Sequence, residues 1–134
     1  MHLLHLDITS DPACLKPVRH AVEAFCQSCG FDDKSTGEIG LVVNEAIANV
    51  TRHAYGGATD RPVQLRARYD DNVIEISLRD WGSGHDPSRC PPKKDPMVPG
   101  GLGMVCLRQL MDEMRFVPQP DGMLLTMKRK ASLT

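Results

Sequence analysis

Aromatic side chains are scarce in this chain: Phe, Trp and Tyr make up 4% of its 134 residues, and Trp81 is the one tryptophan. Any core must therefore be largely aliphatic. A surplus of charge is missing too, because 16 Lys and Arg against 17 Asp and Glu leave a formal net charge of -1. That balance supplies no overall positive field to gather nucleic acid or an anionic membrane, so direct binding to either is not expected. The opening stretch lacks the marks of an exported or anchored protein: Met1 to Ile8 has no basic segment, and its apolar residues are broken by His2, His5 and Asp7. It reads as neither a signal peptide nor a membrane span, and a cytoplasmic location is expected. The cysteines are an odd set of 5, Cys14, Cys26, Cys29, Cys90 and Cys106, which argues for reduced thiols over a disulfide scaffold. Cys26-x-x-Cys29 falls late in an apolar-patterned helix with no second ligand pair, so packing is expected of it before redox or zinc chemistry.

What is present is ordinary for a globular chain, 41% hydrophobic and 25% charged, and the length suits a single domain over residues 1–134. Leu3, Leu4, Leu6 and Ile8 predict a first strand, and Ser10-Asp11-Pro12 supplies helix-start chemistry. Leu15, Val18, Val22, Phe25 and Cys29 recur at helical spacing up to a stop at Gly30, with Pro17 tolerable in the first turn. Ser35-x-x-Glu38 has the form of a capping box. Beyond it Ile39, Val42, Val43, Ala46, Ile47 and Val50 form an apolar stripe that ends near Tyr55-Gly56-Gly57. From Pro62 the period changes to two: Val63, Leu65, Ala67 and Tyr69 share one face, and Asp70-Asp71-Asn72 turns the chain into a second strand. There Ile74, Ile76 and Leu78 share a face, and the same alternation puts Asp80 beside them. The glycine- and proline-rich stretch from Trp81 to Gly103 reads as a functional or mobile loop. Gly103, Cys106, Leu107, Leu110, Met111 and Met114 then mark a third helix face, followed by strands at Phe116-Val117 and Met123 to Lys128 around Pro118 to Gly122.

Three groups of residues could do chemistry. Glu45, Asn49 and His53 follow one another at four-residue intervals, making a polar line on the shoulder of the second helix with Arg52 beside it. A carboxylate can accept a hydroxyl proton, an amide oxygen can ligate Mg²⁺, and Arg or His can meet phosphate oxygens. The alternative is a solvated helix flank. Asp80-Trp81-Gly82-Ser83-Gly84 places a carboxylate on the core side at a strand end, which is costly unless a donor such as the exocyclic amine of adenine meets it. The glycines allow a sharp turn and close approach to a flat ligand, though the same run could be only a tight turn. Gly100-Gly101-Leu102-Gly103, with Met104 next, opens the third helix, where free amides can seat phosphate; its alternative is a flexible loop end. No Gly-Lys-Ser/Thr follows, so it is not a P-loop.

Taken in order, Asn44-Glu45-Ala46-Ile47-Ala48-Asn49-Val50-Thr51-Arg52-His53-Ala54-Tyr55 resembles the N box of the GHKL ATPases, Asp80 to Gly84 their G1 box and Gly101-Leu102-Gly103 their G2 box. The resemblance covers residues 33–130, and three ordered motifs are far more specific than one. It implies an α/β (α+β) two-layer sandwich, in which a mainly antiparallel mixed sheet is covered on one face by about three helices and ATP lies between helices and lid. It also implies roles: Glu45 as general base, Asn49 as Mg²⁺ ligand, Arg52 and His53 as phosphate neighbours, Asp80 as adenine reader, and residues 85–99 as the lid.

Within that superfamily the chain resembles the free-standing serine/threonine kinases that double as anti-sigma factors. No transducer domain follows the motifs, only a short stretch precedes the N box, and the lid lacks a phenylalanine box. The resemblance implies a substrate serine or threonine on a STAS-like anti-sigma-factor antagonist, a sigma factor as second partner, and a homodimer. A competing reading is a nucleotide-gated binding module that sequesters a sigma factor with little or no kinase activity. An adapter without nucleotide would leave the polar line and the inward Asp80 unexplained.

Overall fold

Stretches of alternating polarity form strands, stretches of helical period form helices, and the two kinds sort into separate layers. The computed structural model describes residues 1–82 and 103–131. Strands β1 (His2–Thr9), β2 (Pro62–Asp70), β3 (Val73–Asp80), β4 (Glu113–Gln119) and β5 (Gly122–Lys130) form one five-stranded sheet in the order β1-β2-β3-β5-β4. The sheet is not mixed: each of these pairings is antiparallel. Two tight hairpins account for two of these pairings, β2–β3 and β4–β5, since so short a turn can join only antiparallel neighbours. Asp71 and Asn72 turn the first hairpin at φ 52 and φ 63, the left-handed region that the turn requires and that Asp and Asn tolerate.

Helices α1 (Leu15–Ser28), α2 (Asp33–Asn49) and α3 (Gly103–Leu110) supply the second layer. Val18, Val22 and Cys26 from α1 and Ile39, Val42, Val43, Ala46 and Ile47 from α2 share one aliphatic core with the inward residues of β2, β3 and β5. Cys26 is a core residue with no exposure, and burial, ahead of the neighbouring Cys29 and Glu23, pushes its thiol up to about 12. That proton loss lies far above neutrality, which suits packing and not thiolate chemistry. Arg19 holds Glu23 at 2.8 Å across one helical turn, and Glu23 lies against Gly40, where a β-carbon would come within 2.6 Å of its Oε1. Among the described residues no helix is long and apolar enough to cross a membrane.

Three local expectations are corrected. The predicted Ser35/Glu38 capping box does not form: α2 begins at Asp33, and Asp32 caps it by accepting from the Ser35 amide at 2.7 Å. Asp32 offers the same cap chemistry three residues earlier, which leaves Ser35 and Glu38 to accept from the Arg129 guanidinium at 3.0 and 3.1 Å. The third helix stops at Leu110, and Met114 is buried from strand β4. Asp112 redirects the chain there, its amide donating to the Lys128 carbonyl at 2.9 Å and its carboxylate accepting from the Lys130 amide at 2.7 Å. Pro118 lies inside β4, not in the turn. As β4 is an edge strand, a residue without an N–H is tolerated there.

Candidate functional site

The inward apolar stripe of α2 leaves Glu45 and Asn49 on its shoulder, one turn apart; Glu45 is half-buried and Asn49 is 7% exposed. Beyond Asn49 the helix widens into a π-turn over Val50–Ala54, closed by the Tyr55 amide donating to the Val50 carbonyl at 3.1 Å. Such insertions are uncommon and gather at functional sites. Within the widened turn the Thr51 hydroxyl donates to the carbonyl of Ser10, just past the end of β1, at 2.9 Å. Ser10 is itself buried, with its hydroxyl donating to the Ala58 carbonyl at 2.5 Å. Within the turn Arg52 reaches back three residues and donates from Nη2 to Asn49 Oδ1 at 2.5 Å. His53 is half-buried in the same turn and has contacts of its own. The predicted line of Glu45, Asn49 and His53, with Arg52 beside it, therefore falls on one helical run, with a wider last turn than the spacing implied.

Asp80 ends β3 on the inner face, 4% exposed, as the alternation predicted. Its Oδ1 accepts from the Gly82 amide at 2.9 Å, and the Met123 amide across the strand pair also donates to it. Burial raises its pKa above the ordinary carboxylate value, and those two amides and Arg79 offset part of the rise. The carboxylate is thus held by backbone donors at a buried strand end. Gly82 sits so close to the π-turn that a β-carbon on it would come within 2.3 Å of the Ala54 carbonyl oxygen. Tyr55 adds a second tie: its hydroxyl donates to the Pro62 carbonyl at 2.5 Å and accepts from the Trp81 amide at 2.8 Å. Arg79 braces the other side, pairing with Asp121 at 2.7 Å and lying 4.6 Å from the centroid of the Trp81 ring.

The structure thus brings the first and second predicted motifs together. Gly103 and Met104 begin α3, as predicted, while Gly84, Gly100, Gly101, Leu102 and the predicted lid, residues 85–99, lie outside the described residues. Two contributors carry no signal of their own in the sequence: Ala54, through its carbonyl oxygen, and Arg129, which joins the start of α2 to the end of α3 by donating to Ser35, Glu38 and the Leu110 carbonyl. Tyr55 could have been singled out as the polar aromatic closing the first motif.

A family model described as a histidine kinase-like ATPase domain matches residues 8–129. The chain belongs to that family, and its fold is that of an ATP-binding domain of this class. Its relatives narrow the class. It is 34% identical over 88 residues to a protein named anti-sigma F factor from Halalkalibacterium halodurans, an alignment covering 62% of this chain and 60% of that one. It is 22% identical over 134 residues to a serine-protein kinase RsbW from Oceanobacillus iheyensis, covering 93% and 85% of the two chains. The chain thus spans less than two thirds of the first relative's length and most of the second's. Among solved structures, the RsbU and RsbW domains of a Mycobacterium tuberculosis protein superpose with a TM-score of 0.75 at 19% identity. That match covers 100% of this chain and 34% of the other, and it is a likeness of fold.

Proposed function

We propose that the chain is an ATP-dependent protein serine/threonine kinase and anti-sigma factor of a partner-switching system, a single domain acting in the cytoplasm. Its substrate is a serine or threonine of a STAS-like anti-sigma-factor antagonist. Its second partner is a sigma factor, and it works as a homodimer without touching nucleic acid or membrane. The observation that carries the reading is the buried Asp80 carboxylate at a strand end, in backbone contact through Gly82 with the helical run that bears Glu45 and Asn49. The names of the relatives, an anti-sigma factor and serine-protein kinases, support it.

In this reading Asp80 accepts from the exocyclic amine of adenine, and the glycines at 82 and 84 let the backbone lie close to the base. Arg52 and His53 meet phosphate oxygens, and the amides of Gly100, Gly101, Leu102, Gly103 and Met104 at the start of α3 seat the rest. Glu45 takes the proton of the substrate hydroxyl as that oxygen attacks the γ-phosphorus and the bond to the β-phosphate oxygen breaks. Asn49 is of a type that suits Mg²⁺, since a side-chain amide oxygen is a hard neutral ligand, and the Arg52 guanidinium that donates to it lies where phosphate charge would gather. Mg²⁺ would supply neutralising charge for the transferring phosphoryl group.

The competing reading uses the same site: a module that binds nucleotide to set its affinity for a partner and transfers phosphate feebly or not at all. A single-turnover assay with γ-labelled ATP and the antagonist copurified from the native cell separates them. Label on a serine or threonine of the antagonist is the expected result. Nucleotide and partner binding without label would leave the binding module as the better description.

A further inference from the structure

The pairing of β2 with β3 stops one step short of where its geometry allows. Val63 pairs with Asp80, so the next rung would join Pro62 to Trp81. Instead the Tyr55 hydroxyl stands between them, donating to the Pro62 carbonyl at 2.5 Å and accepting from the Trp81 amide at 2.8 Å. A phenol has one proton to give and lone pairs to receive, so both strand-end groups are satisfied without meeting each other. Burial, the largest influence on this phenol, raises its pKa, which keeps the donating proton in place at neutral pH. The strands part at this rung, and the backbone after Asp80 passes within contact distance of Ala54, the last residue of the π-turn.

Tyr55 is in turn well anchored. Its amide closes the π-turn on Val50, and its ring packs against the core. Thr51, in the same turn, is tied to Ser10. We propose that Tyr55 is a positioning residue for the nucleotide site: its hydroxyl replaces a sheet rung and couples the end of the α2 run to the Trp81 backbone, setting where Asp80 and Gly82 meet the base. This rests on the reading of Asp80 as the adenine-recognising group. It assigns to Tyr55 no contact with the nucleotide.

Tyr55→Phe keeps the ring and its packing and removes only the bridging oxygen. In the nucleotide-free variant, hydrogen exchange at the Trp81 amide should quicken about tenfold, the effect of losing one ordinary hydrogen bond. Calorimetry should show ATP binding weakened by about three- to tenfold and the preference for ATP over GTP narrowed, with a melting temperature close to that of the parent. Tyr69→Phe is the control, because that hydroxyl lies 3.4 Å from Asn72 at the far hairpin turn and should leave ATP affinity unchanged. Parental exchange at Trp81, or faster exchange with parental affinity and base preference, would overturn the proposal. A parent protein that binds ATP and GTP equally would instead sink the adenine-reader assignment, while the exchange measurement still decides what the hydroxyl does.

Discussion

The two ends of α2 solve opposite problems with different side chains. At its start, Asp32 accepts from the Ser35 amide, and Ser35 and Glu38 accept from Arg129, so the polar groups close a helix end and pin it to β5. At its finish the helix opens into a π-turn, buries Asn49, and brings a backbone carbonyl against Gly82. The first end is regular and serves stability. The second is irregular, and its irregularity carries the helix into contact with a different strand end. One helix can thus be anchored hard at one end so that the other can hold an unusual geometry.

The contrast extends to the aspartates beside each end, whose pKa shifts run in opposite directions. Backbone and side-chain hydrogen bonds from Ser35 lower the pKa of Asp32, whereas burial raises that of Asp80. A lowered folded pKa contributes stability present above the ordinary aspartate value and lost as pH falls through the folded one. A raised pKa does the reverse: its favourable contribution is complete below the ordinary value and is lost as pH rises through the folded one. Asp32 therefore supports the fold best near neutrality, and Asp80 opposes it there.

Variants should separate the ends in graded fashion. The largest effect is expected at Glu45: Glu45→Gln should slow single-turnover phosphoryl transfer by about a hundredfold to ten-thousandfold, with ATP affinity and melting temperature close to parental. A parental rate would remove the catalytic role and with it the functional half of the comparison. Next, Asp80→Ala should abolish ATP binding measured by calorimetry while the domain still melts cooperatively. Asp80→Asn should gain melting temperature relative to the parent as pH rises from acid to neutral, and a constant difference would contradict the raised pKa.

At the other end, Arg129→Met should cost about 1–3 kcal/mol of stability in denaturant titration, because it strips donors from Ser35, Glu38 and Leu110, and should leave intrinsic ATP affinity nearly untouched. A large loss of affinity at unchanged stability would show that the anchoring end also belongs to the site. The smallest effect is expected at the exposed cap: Asp32→Ala should lower the melting temperature by about a few degrees at neutral pH. That difference should vanish on acidification through the lowered pKa of Asp32, the opposite trend to Asp80.

Much of this arrangement was legible before folding. Alternation through Ile74, Ile76 and Leu78 fixes which way Asp80 faces, since neighbouring strand residues point to opposite sides. Helical spacing likewise places Glu45 and Asn49 on one shoulder of α2. The misreadings are those of local ambiguity. Ser35 and Asp32 are both good caps, and only the fold shows that Ser35 is needed by Arg129. Met114 suits a helix face and an inward strand position equally, and Asp112 decides between them through its bonds to β5.

By itself the sequence determined most of the elements, the inward faces, the first hairpin turn and the order of the motifs, because those depend on residues a few positions apart. Only the tertiary structure decided the rest: an all-antiparallel sheet, the π-turn tied to Ser10, the Ala54–Gly82 contact and the Tyr55 bridge. Arg129 and Glu38 meet across 91 positions, and Tyr55 meets Trp81 across 26. No local period encodes such pairs. They arise when an aliphatic core packs helices onto a sheet, and buried donors must then find whatever acceptors that packing brings within reach.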